Sequence, residues 1–315
     1  MINNQEKTIN FAFFGSSRLS VIVLDELKKL GCIPSLIVTT PDKPQGRKLI
    51  LTPNVVKTWA IENNIKVVDP AKLDTTFIEN LKLNIDNYPL FIVASYGKII
   101  PNAIIEMPVH KTLNIHPSLL PQYRGASPLP TAILEDTKIT GVSIMQLDAE
   151  MDHGPIIVQK SININDHFKD WPTYEDFEEF MAKEGAKLLA KILPDWVAGK
   201  IKPKEQDHSK ATYTKKITKE DAELKLSVDE LKNSSTISSK KACDIFRKIQ
   251  AYHQWPQAYL FIERVDENGI SRKIRIKISE ASFIGDSSNG KLVINKVIPE
   301  GKKEMSYESF ARGYL

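Results

Sequence analysis

Residues 8–40, TINFAFFGSSRLSVIVLDELKKLGCIPSLIVTT, predict the fold class of this 315-residue chain. The stretch opens with a short apolar run that ends at Gly15, and it closes with a β-branched run at residues 34–40. Between these runs, apolar residues recur at helical spacing from Arg18 until Gly31, which is a helix stop signal. A strand, a helix and a second strand in this order are typical of an α/β unit with a parallel sheet.

The same alternation continues to about residue 200. Apolar runs predict further strands at 89–97, 111–116, 141–148 and 155–162. Helical spacing predicts a helix with Thr52 as its N-cap and a long helix over 176–199. The fold expected for this part is a Rossmann-like, mostly parallel sheet. The first loop, FFGSSRLS, has neither a dinucleotide-binding nor a P-loop glycine pattern. We therefore expect a different ligand, bound beyond the carboxyl ends of the strands, where Asn114, His116 and the loop after Asp148 should lie.

The second part of the chain reads as a separate domain. Residues 201–216 are polar and basic without apolar periodicity, which is typical of a linker. After it, one helical pattern at 239–252 precedes three strand-like runs at 257–263, 272–279 and 291–297. We predict a catalytic domain at 1–200, the linker at 201–216, and a small OB-like β-barrel domain at 217–315.

Charge is distributed unevenly along the chain. The formal net charge is +4, but residues 1–200 hold 21 Lys and Arg against 23 Asp and Glu, whereas residues 201–315 hold 22 against 16. The two parts therefore carry −2 and +6. A basic C-terminal part is compatible with a polyanion partner such as RNA, and equally with a lysine-rich surface that aids solubility.

The composition predicts the cellular setting. No apolar run has the length of a membrane span, and the N-terminus lacks the basic-then-apolar order of a secretory signal. Cys32 and Cys243 stand far apart without a metal-ligand spacing, as expected of reduced thiols. We expect a cytoplasmic protein, without a membrane partner, that acts as a monomer.

The stretch LNIHPSLLPQYRGASP, residues 113–128, carries the strongest chemical pattern. Asn114 and His116 are two residues apart in an extended segment, so their side chains share one face. Downstream, MQLDAEMDHGP leaves a strand and carries Asp148 and Asp152 in a loop. An amide donor, an imidazole and a carboxylate together suit acyl transfer through a tetrahedral intermediate. No Ser or Cys stands in a nucleophile elbow, so direct attack by a substrate amine is the simpler mechanism.

Structural roles for these residues remain open at this point. A lone histidine in a turn more often bonds the backbone, and an aspartate before glycine often caps a loop. A zinc site is a further alternative, with His110, His116, Asp152 and His153 as its candidate ligands. None of these four makes a recognised ligand spacing, so we predict no metal.

The segments NIHPSLLPQYRGASP and GVSIMQLDAEMDHGPI together resemble the signature of the folate-dependent formyltransferases. The resemblance implies that Asn114, His116 and Asp152 are the catalytic residues. It also implies contacts to the tetrahydrofolate from SLLP and from the segment SYGKII, at residues 95–100, which resembles the wall of the pterin pocket. The implied cofactor-binding residues are Ser118, Leu119, Leu120, Pro121, Tyr96, Gly97 and Ile99.

Other segments resemble one branch of that family, the methionyl-tRNA formyltransferases. The long loop VTTPDKPQGRKLILTPNVVKTWA, at residues 38–60, is similar to a loop that approaches the acceptor end of the tRNA in that branch, and residues 211–227 and the ending FARGYL also fit. The resemblance implies that Arg47, Lys43 and Lys48 bind tRNA. After Arg47 this chain carries fewer positive charges than many relatives do.

The resemblance implies a function for the whole chain. It is transfer of the formyl group from 10-formyltetrahydrofolate to the α-amino group of methionine on the initiator tRNA, with the C-terminal domain holding the tRNA. One alternative is the same chemistry on a small amine such as an amino-sugar nucleotide. Another is a non-catalytic RNA-binding protein on a formyltransferase scaffold.

Overall fold

The computed structural model of the chain describes residues 9–45, 49–265, 271–285 and 289–315. The chain forms two compact units: the first combines Met1–Gly125, Thr140–Ile162 and Glu178–Tyr213, and the second combines Ala126–Ile139, Asn163–Phe177 and Thr214–Leu315. Each unit therefore draws on several stretches of sequence. The predicted domains at 1–200 and 217–315, with their linker, stay a prediction.

A seven-stranded sheet forms the centre of the first unit. In chain order, the strands up to residue 163 are β1 (Ala12–Phe14), β2 (Leu36–Val38), β3 (Lys43–Gln45), β4 (Ile50–Thr52), β5 (Val67–Val68), β6 (Phe91–Val93), β7 (Thr112–His116), β8 (Arg124–Gly125), β9 (Ile139–Gln146) and β10 (Ile156–Asn163). The order across the sheet is β10-β9-β7-β6-β1-β2-β5. The β2–β5, β1–β2, β1–β6 and β6–β7 pairs are parallel. This confirms the Rossmann-like, mostly parallel sheet.

The sheet is buried because its central strands are continuously apolar. β1, β2 and β6 have the sequences AFF, LIV and FIV, and every one of these residues is buried. The described helices from this part of the chain are α1 (Arg18–Lys29), α2 (Val55–Glu62), α3 (Thr75–Lys82), α4 (Asn102–Ile105), α5 (Pro128–Leu134) and α6 (Tyr174–Val197). Strands that are apolar throughout are typical of parallel sheets covered on both faces.

Helix α2 shows where the sequence interpretation was wrong locally. Its N-cap is Asn54, not Thr52: the Asn54 side chain accepts hydrogen bonds from the backbone N–H groups of Val56 and Lys57. Thr52 instead belongs to β4, which pairs antiparallel with β3. A two-stranded hairpin therefore stands in the stretch predicted as a loop. Arg47 and Lys48 lie outside the described residues.

One antiparallel pairing decides where the site is built. β7 and β9 are antiparallel, with Leu113 opposite Gln146 and His116 opposite Ser143. The loop after β9 therefore starts beside the beginning of β7, where the Leu147 N–H donates to the Thr112 carbonyl at 2.8 Å. The expectation that the loop after Asp148 lies beyond the carboxyl ends of the strands thus holds for Asp152, which lies beside His116 at the end of β7, but not for the start of the loop.

The second unit contains an antiparallel sheet and a long amphipathic helix. The remaining strands are β11 (Tyr213–Thr214), β12 (Tyr259–Val265), β13 (Ser271–Ile284), β14 (Lys291–Pro299) and β15 (Met305–Ser306), and the remaining helices are α7 (Val228–Lys232), α8 (Ser239–Ala251) and α9 (Tyr307–Tyr314). β12, β13, β14 and β15 form one four-stranded sheet in that order. The sequence-based β-unit is thus confirmed as an antiparallel sheet, and its closure into a barrel stays a prediction.

Helix α8 packs its apolar face against this sheet. Ala242, Ile245, Phe246 and Ile249 are buried, and the Phe246 ring stacks on Phe283 with 5.7 Å between centroids.

His253 and Glu175 form an ion pair in the same unit, with 2.9 Å between His253 Nδ1 and Glu175 Oε2. The hydrogen bond to Glu175 raises the pKa of His253. No helix of the described residues is long and apolar enough to cross a membrane.

Gly185 tests how tightly α6 packs on β7. A Cβ added at Gly185 would lie 2.5 Å from Ile115 Cγ2 and 3.2 Å from Val142 Cγ1. Overpacking costs about 1–3 kcal/mol, and the helix propensity of alanine offsets up to about 1 kcal/mol. We expect Gly185→Ala to lower the free energy of unfolding by a net of about 1–2 kcal/mol, measured by urea denaturation.

Gly313→Ala in α9 is the matched control. Nothing lies within 4 Å of the Cβ that this substitution adds. It should leave the free energy of unfolding unchanged or raise it slightly. Equal stability of the two variants would contradict the close packing of α6 on β7.

Candidate active site

Asn114 and His116 lie on β7, a strand in which every residue is buried. Asn114 is 9% exposed and His116 is 4% exposed. Because they are two residues apart on one strand, both side chains project from the same face, as predicted. Within the described residues the Asn114 amide makes no hydrogen bond, so it offers a donor and an acceptor to a ligand.

The His116 ring has an acceptor beside each nitrogen. Nε2 lies 2.9 Å from the carbonyl oxygen of Tyr123, and Nδ1 lies 3.5 Å from Oδ1 of Asp152. A carbonyl oxygen can only accept, so the proton of this contact sits on Nε2. Nδ1 faces the carboxylate, and a doubly protonated ring would satisfy both contacts. The structure thus brings His116 and Asp152 together as predicted.

Asp152 is held in place by the backbone around it. Its Oδ2 accepts a hydrogen bond from the Gly125 N–H at 2.7 Å. Its own φ is +50°, a left-handed conformation that is uncommon for residues other than glycine. The loop that follows β9 thus turns sharply at Asp152 and returns this carboxylate to the end of β7.

Asp148 and His153, two other polar residues of this loop, form contacts within the loop. Asp148 accepts a hydrogen bond from the Glu150 N–H, and its Oδ2 lies 2.7 Å from His153 Nδ1. The His153 ring stacks on His208 with 4.0 Å between centroids. In the part of the chain that the structure describes, no group of three or more His, Cys, Asp or Glu side chains could hold a metal ion.

The segment after β6 supplies three of the predicted cofactor-binding residues. Tyr96 is buried, and its hydroxyl has no hydrogen-bond partner within the described residues; burial raises the pKa of Tyr96 to about 12. Gly97 has a φ of +75°, which favours glycine. Ile99 is 92% exposed, so its apolar side chain is available to a ligand.

The SLLP segment is largely occupied by internal contacts. The Ser118 hydroxyl donates to the Gln122 carbonyl at 2.6 Å, and the Ser143 hydroxyl donates to the Ser118 carbonyl at 2.6 Å. Leu120 is buried, whereas Leu119 and Pro121 are half-buried. A folate contact from Ser118, Leu119, Leu120 and Pro121 stays a prediction. Of these residues, the half-buried Leu119 and Pro121 have side-chain surface that a ligand could contact.

A cleft opens beside Tyr96 and Gly97. Its volume is about 320 Å³, and its lining residues are Ser16, Thr40, Pro41, Lys43, Thr52, Asn54, Tyr96, Gly97 and Lys98. Lys43 is exposed on β3 and is the one predicted tRNA-binding residue among those described. Hairpin β3–β4 thus forms one side of the cleft.

Two residues of the site were missed by the sequence interpretation, Arg124 and Gln206. Arg124 is 1% exposed, and its guanidinium donates to Gln206 Oε1 from Nε at 3.2 Å and from Nη2 at 2.8 Å. The Gln206 amide then donates to the carbonyl oxygens of Asp152 and Gly154, at 2.9 and 2.7 Å. The only sequence signal was an arginine between the motif residues and Gly125.

Comparisons with known proteins show the family to which the chain belongs. The family model described as formyl transferase matches residues 7–193. A methionyl-tRNA formyltransferase of Listeria innocua is 34% identical over 96% of this chain and 94% of that protein. One of Chloroflexus aggregans is 38% identical over 79% of this chain and 75% of that protein. The chain therefore belongs to the formyl transferase family, alongside methionyl-tRNA formyltransferases that match it over most of their length.

Solved structures share the fold at lower sequence identity. Methionyl-tRNA formyltransferase from Clostridium thermocellum has a TM-score of 0.54 at 17% identity, covering 95% of this chain and 99% of that chain. An N-formyltransferase from Helicobacter canadensis, in complex with folinic acid and dTDP-3-aminofucose, has a TM-score of 0.57 at 18% identity, covering 91% and 98%. Both likenesses support the fold.

Gln206→Leu tests the hidden hydrogen bonds beside Asp152. The variant removes an acceptor from a buried guanidinium and two N–H donors from buried carbonyl oxygens. Leaving such groups unsatisfied costs about 1–3 kcal/mol each, so we expect a loss of at least about 2 kcal/mol in the free energy of unfolding. Urea denaturation measures it.

The same substitution at the neighbouring exposed residue, Glu205→Leu, is the control. Surface changes of this kind shift the free energy of unfolding by about 0.5 kcal/mol or less. If both variants lose the same small amount, Gln206 does not hold the loop.

Proposed function

We propose that this protein transfers the formyl group of 10-formyltetrahydrofolate to the α-amino group of methionine on the initiator tRNA. The observation that carries the proposal is the buried pair of Asn114 and His116 on one strand, with the half-buried Asp152 carboxylate 3.5 Å from His116 Nδ1. Further support comes from the two relatives named methionyl-tRNA formyltransferase, which match this chain over 94% and 75% of their length. The three residues come from one chain, so we propose that the monomer is active. We also propose that the reaction takes place in the cytoplasm.

In this proposal the three residues divide the work of acyl transfer. The Asn114 amide, which has no hydrogen-bond partner among the described residues, donates a hydrogen bond to the formyl oxygen as negative charge develops there. His116, with Asp152 beside Nδ1, adds positive charge next to that oxygen. Preorganised donors and charges in a water-poor site stabilise the transition state more than they stabilise the substrate.

The transfer balances without a covalent enzyme intermediate. The neutral amine nitrogen of methionine forms a bond to the formyl carbon, and the bond from that carbon to N10 of the folate breaks. The amine loses one proton and N10 gains one. We propose that Asp152 orients His116 and helps to relay this proton, since it lies at 3.5 Å from the ring nitrogen.

The cofactor site is proposed next to these residues, at Tyr96, Gly97 and Ile99 and along Ser118–Pro121. A buried Tyr96 hydroxyl without a partner and an exposed Ile99 suit a ligand that is both polar and aromatic.

Binding of the tRNA is proposed for Lys43, Arg47, Lys48 and the basic second part of the chain. Support comes from the strands of the second unit, where cations stand over aromatic rings: Lys273 over Phe261 at 4.3 Å and Arg275 over Tyr259 at 5.9 Å. Cations interleaved with aromatic side chains suit contact with a nucleic acid.

The deciding experiment compares acceptors. Formyl transfer from 10-formyltetrahydrofolate is measured on initiator methionyl-tRNA, elongator methionyl-tRNA, free methionine and a dTDP-amino sugar. We expect fast transfer to the initiator tRNA alone. Transfer to the amino sugar with none to tRNA would replace the proposed function by the small-amine alternative, and transfer to nothing would favour the non-catalytic scaffold.

His116→Ala and Asp152→Asn test the catalytic roles. Removing one group that stabilises an oxyanion typically lowers kcat by about 10²–10³. We expect losses of that size for both variants, measured under saturating substrates, with a circular dichroism spectrum like that of the parent protein.

His110→Ala is the control for these variants. His110 lies before β7, and only its backbone groups make hydrogen bonds shown by the structure, so the substitution should leave kcat unchanged. Near-normal kcat for His116→Ala or Asp152→Asn would refute the assignment.

A further inference from the structure

A three-residue segment after the SLLP turn contacts both halves of the His116–Asp152 pair. The Tyr123 carbonyl oxygen lies 2.9 Å from His116 Nε2, and the Gly125 N–H donates to Asp152 Oδ2 at 2.7 Å. Arg124 is the residue between them. Any movement of the Arg124 backbone therefore shifts the contact to the imidazole and the contact to the carboxylate together.

This segment has a backbone conformation that needs support. Tyr123 has a φ of +58°, and Gly125 has a φ of +106°. Left-handed conformations at residues other than glycine persist where surrounding contacts hold them. The Tyr123 N–H donates to the Thr212 hydroxyl at 2.8 Å, and the Arg124 N–H donates to the Thr212 carbonyl at 2.9 Å.

The Arg124 side chain adds the strongest anchor. It is almost fully buried, and its guanidinium donates to Gln206 Oε1, to the Tyr213 hydroxyl at 3.2 Å and to His208 Nδ1 at 2.8 Å. A buried guanidinium must keep such acceptors, because losing them leaves an unsatisfied charge. The rigid planar fork of arginine therefore fixes where the segment lies.

Gln206 closes these contacts into a ring. Its oxygen accepts from Arg124, while its amide donates to the main-chain oxygen of Asp152. The Asp152 carboxylate in turn accepts a hydrogen bond from the N–H of Gly125, the residue that follows Arg124. Asp152 is thus held at both its backbone and its side chain by groups whose position depends on Arg124.

We propose that Arg124 is a positioning residue for formyl transfer. It acts through the Tyr123 carbonyl, which accepts from His116 Nε2, and through the Gly125 N–H, which donates to Asp152, so that Nδ1 of His116 faces the carboxylate. Its guanidinium is buried, so it does not contact the substrate. This inference rests on the proposed function for its kinetic test, but the geometry it describes does not need substrate.

The experiment compares Arg124→Met with Arg124→Lys in the full chain. We expect Arg124→Met to lower kcat for formylation of initiator methionyl-tRNA by about 10- to 100-fold, as small misplacements of reacting groups do. KM for the folate and for the tRNA should stay within about two-fold, since no binding contact is lost. Arg124→Lys keeps a buried cation and should recover part of kcat.

A spectroscopic readout separates positioning from stability. Long-range ¹H–¹⁵N NMR of the histidine rings reports which nitrogens of His116 carry a proton and how fast each proton exchanges with water. The parent protein should show an Nε2–H that is held in the bond to the Tyr123 carbonyl and exchanges slowly, and in Arg124→Met this proton should exchange faster. Arg247→Met, which removes a mostly buried arginine of the second unit, should affect stability and leave the His116 signals unchanged.

Gln206→Glu covers the case in which Arg124→Met does not fold. It keeps an acceptor for Arg124 and removes the two N–H donors to the loop, so it should show the same kinetic and NMR changes. Wild-type kcat together with wild-type His116 signals, in whichever of these variants folds, would overturn the proposal. An inactive parent protein with the expected NMR changes would instead refute only the proposed function.

Discussion

The structure depends on a strand, β7, that is buried along its whole length and yet carries an amide and an imidazole. β7 lies between β6 and β9, and Asn114 and His116 leave it from one face. Burying an amide and an imidazole is unfavourable unless their polar atoms find partners. His116 finds a carbonyl oxygen and a carboxylate, whereas Asn114 is left for a ligand. The residues proposed to be catalytic thus lie where desolvation strengthens electrostatic interactions.

The antiparallel arrangement of β9 shapes this site. In a purely parallel sheet, loops that follow the strands meet at one edge, and a ligand binds beyond that edge. Here the loop after β9 starts beside the beginning of β7 and must return over the strand to bring Asp152 to His116. The sharp turn at Asp152 and the backbone bonds from Gly125 and Gln206 make that return possible.

Much of this could be predicted from sequence, because the signals are local. Continuous apolar runs predicted β1, β2 and β6, and the i, i+2 spacing predicted the shared face of Asn114 and His116. Strand direction could not be predicted, since β9 has the same apolar pattern whichever way it runs. Neither could the partners of Arg124, because Gln206 is 82 residues away in sequence and lies in a stretch that is polar throughout. The cap at Asn54 was missed because Thr52 and Asn54 are both good caps, and only the β3–β4 hairpin separates them.

The segment between Lys204 and Tyr213 has a consequence for how such a chain can be divided or recombined. Its composition suggests a dispensable tether, but Lys204 pairs with Ile156 at the start of β10, and Gln206, His208 and Tyr213 surround the Arg124 guanidinium. A junction placed near residue 200 would separate Gln206, His208 and Tyr213 from the Arg124 guanidinium that they contact. A chimeric protein that joins the seven-stranded sheet to a different C-terminal domain would have to keep this chain intact through Tyr213.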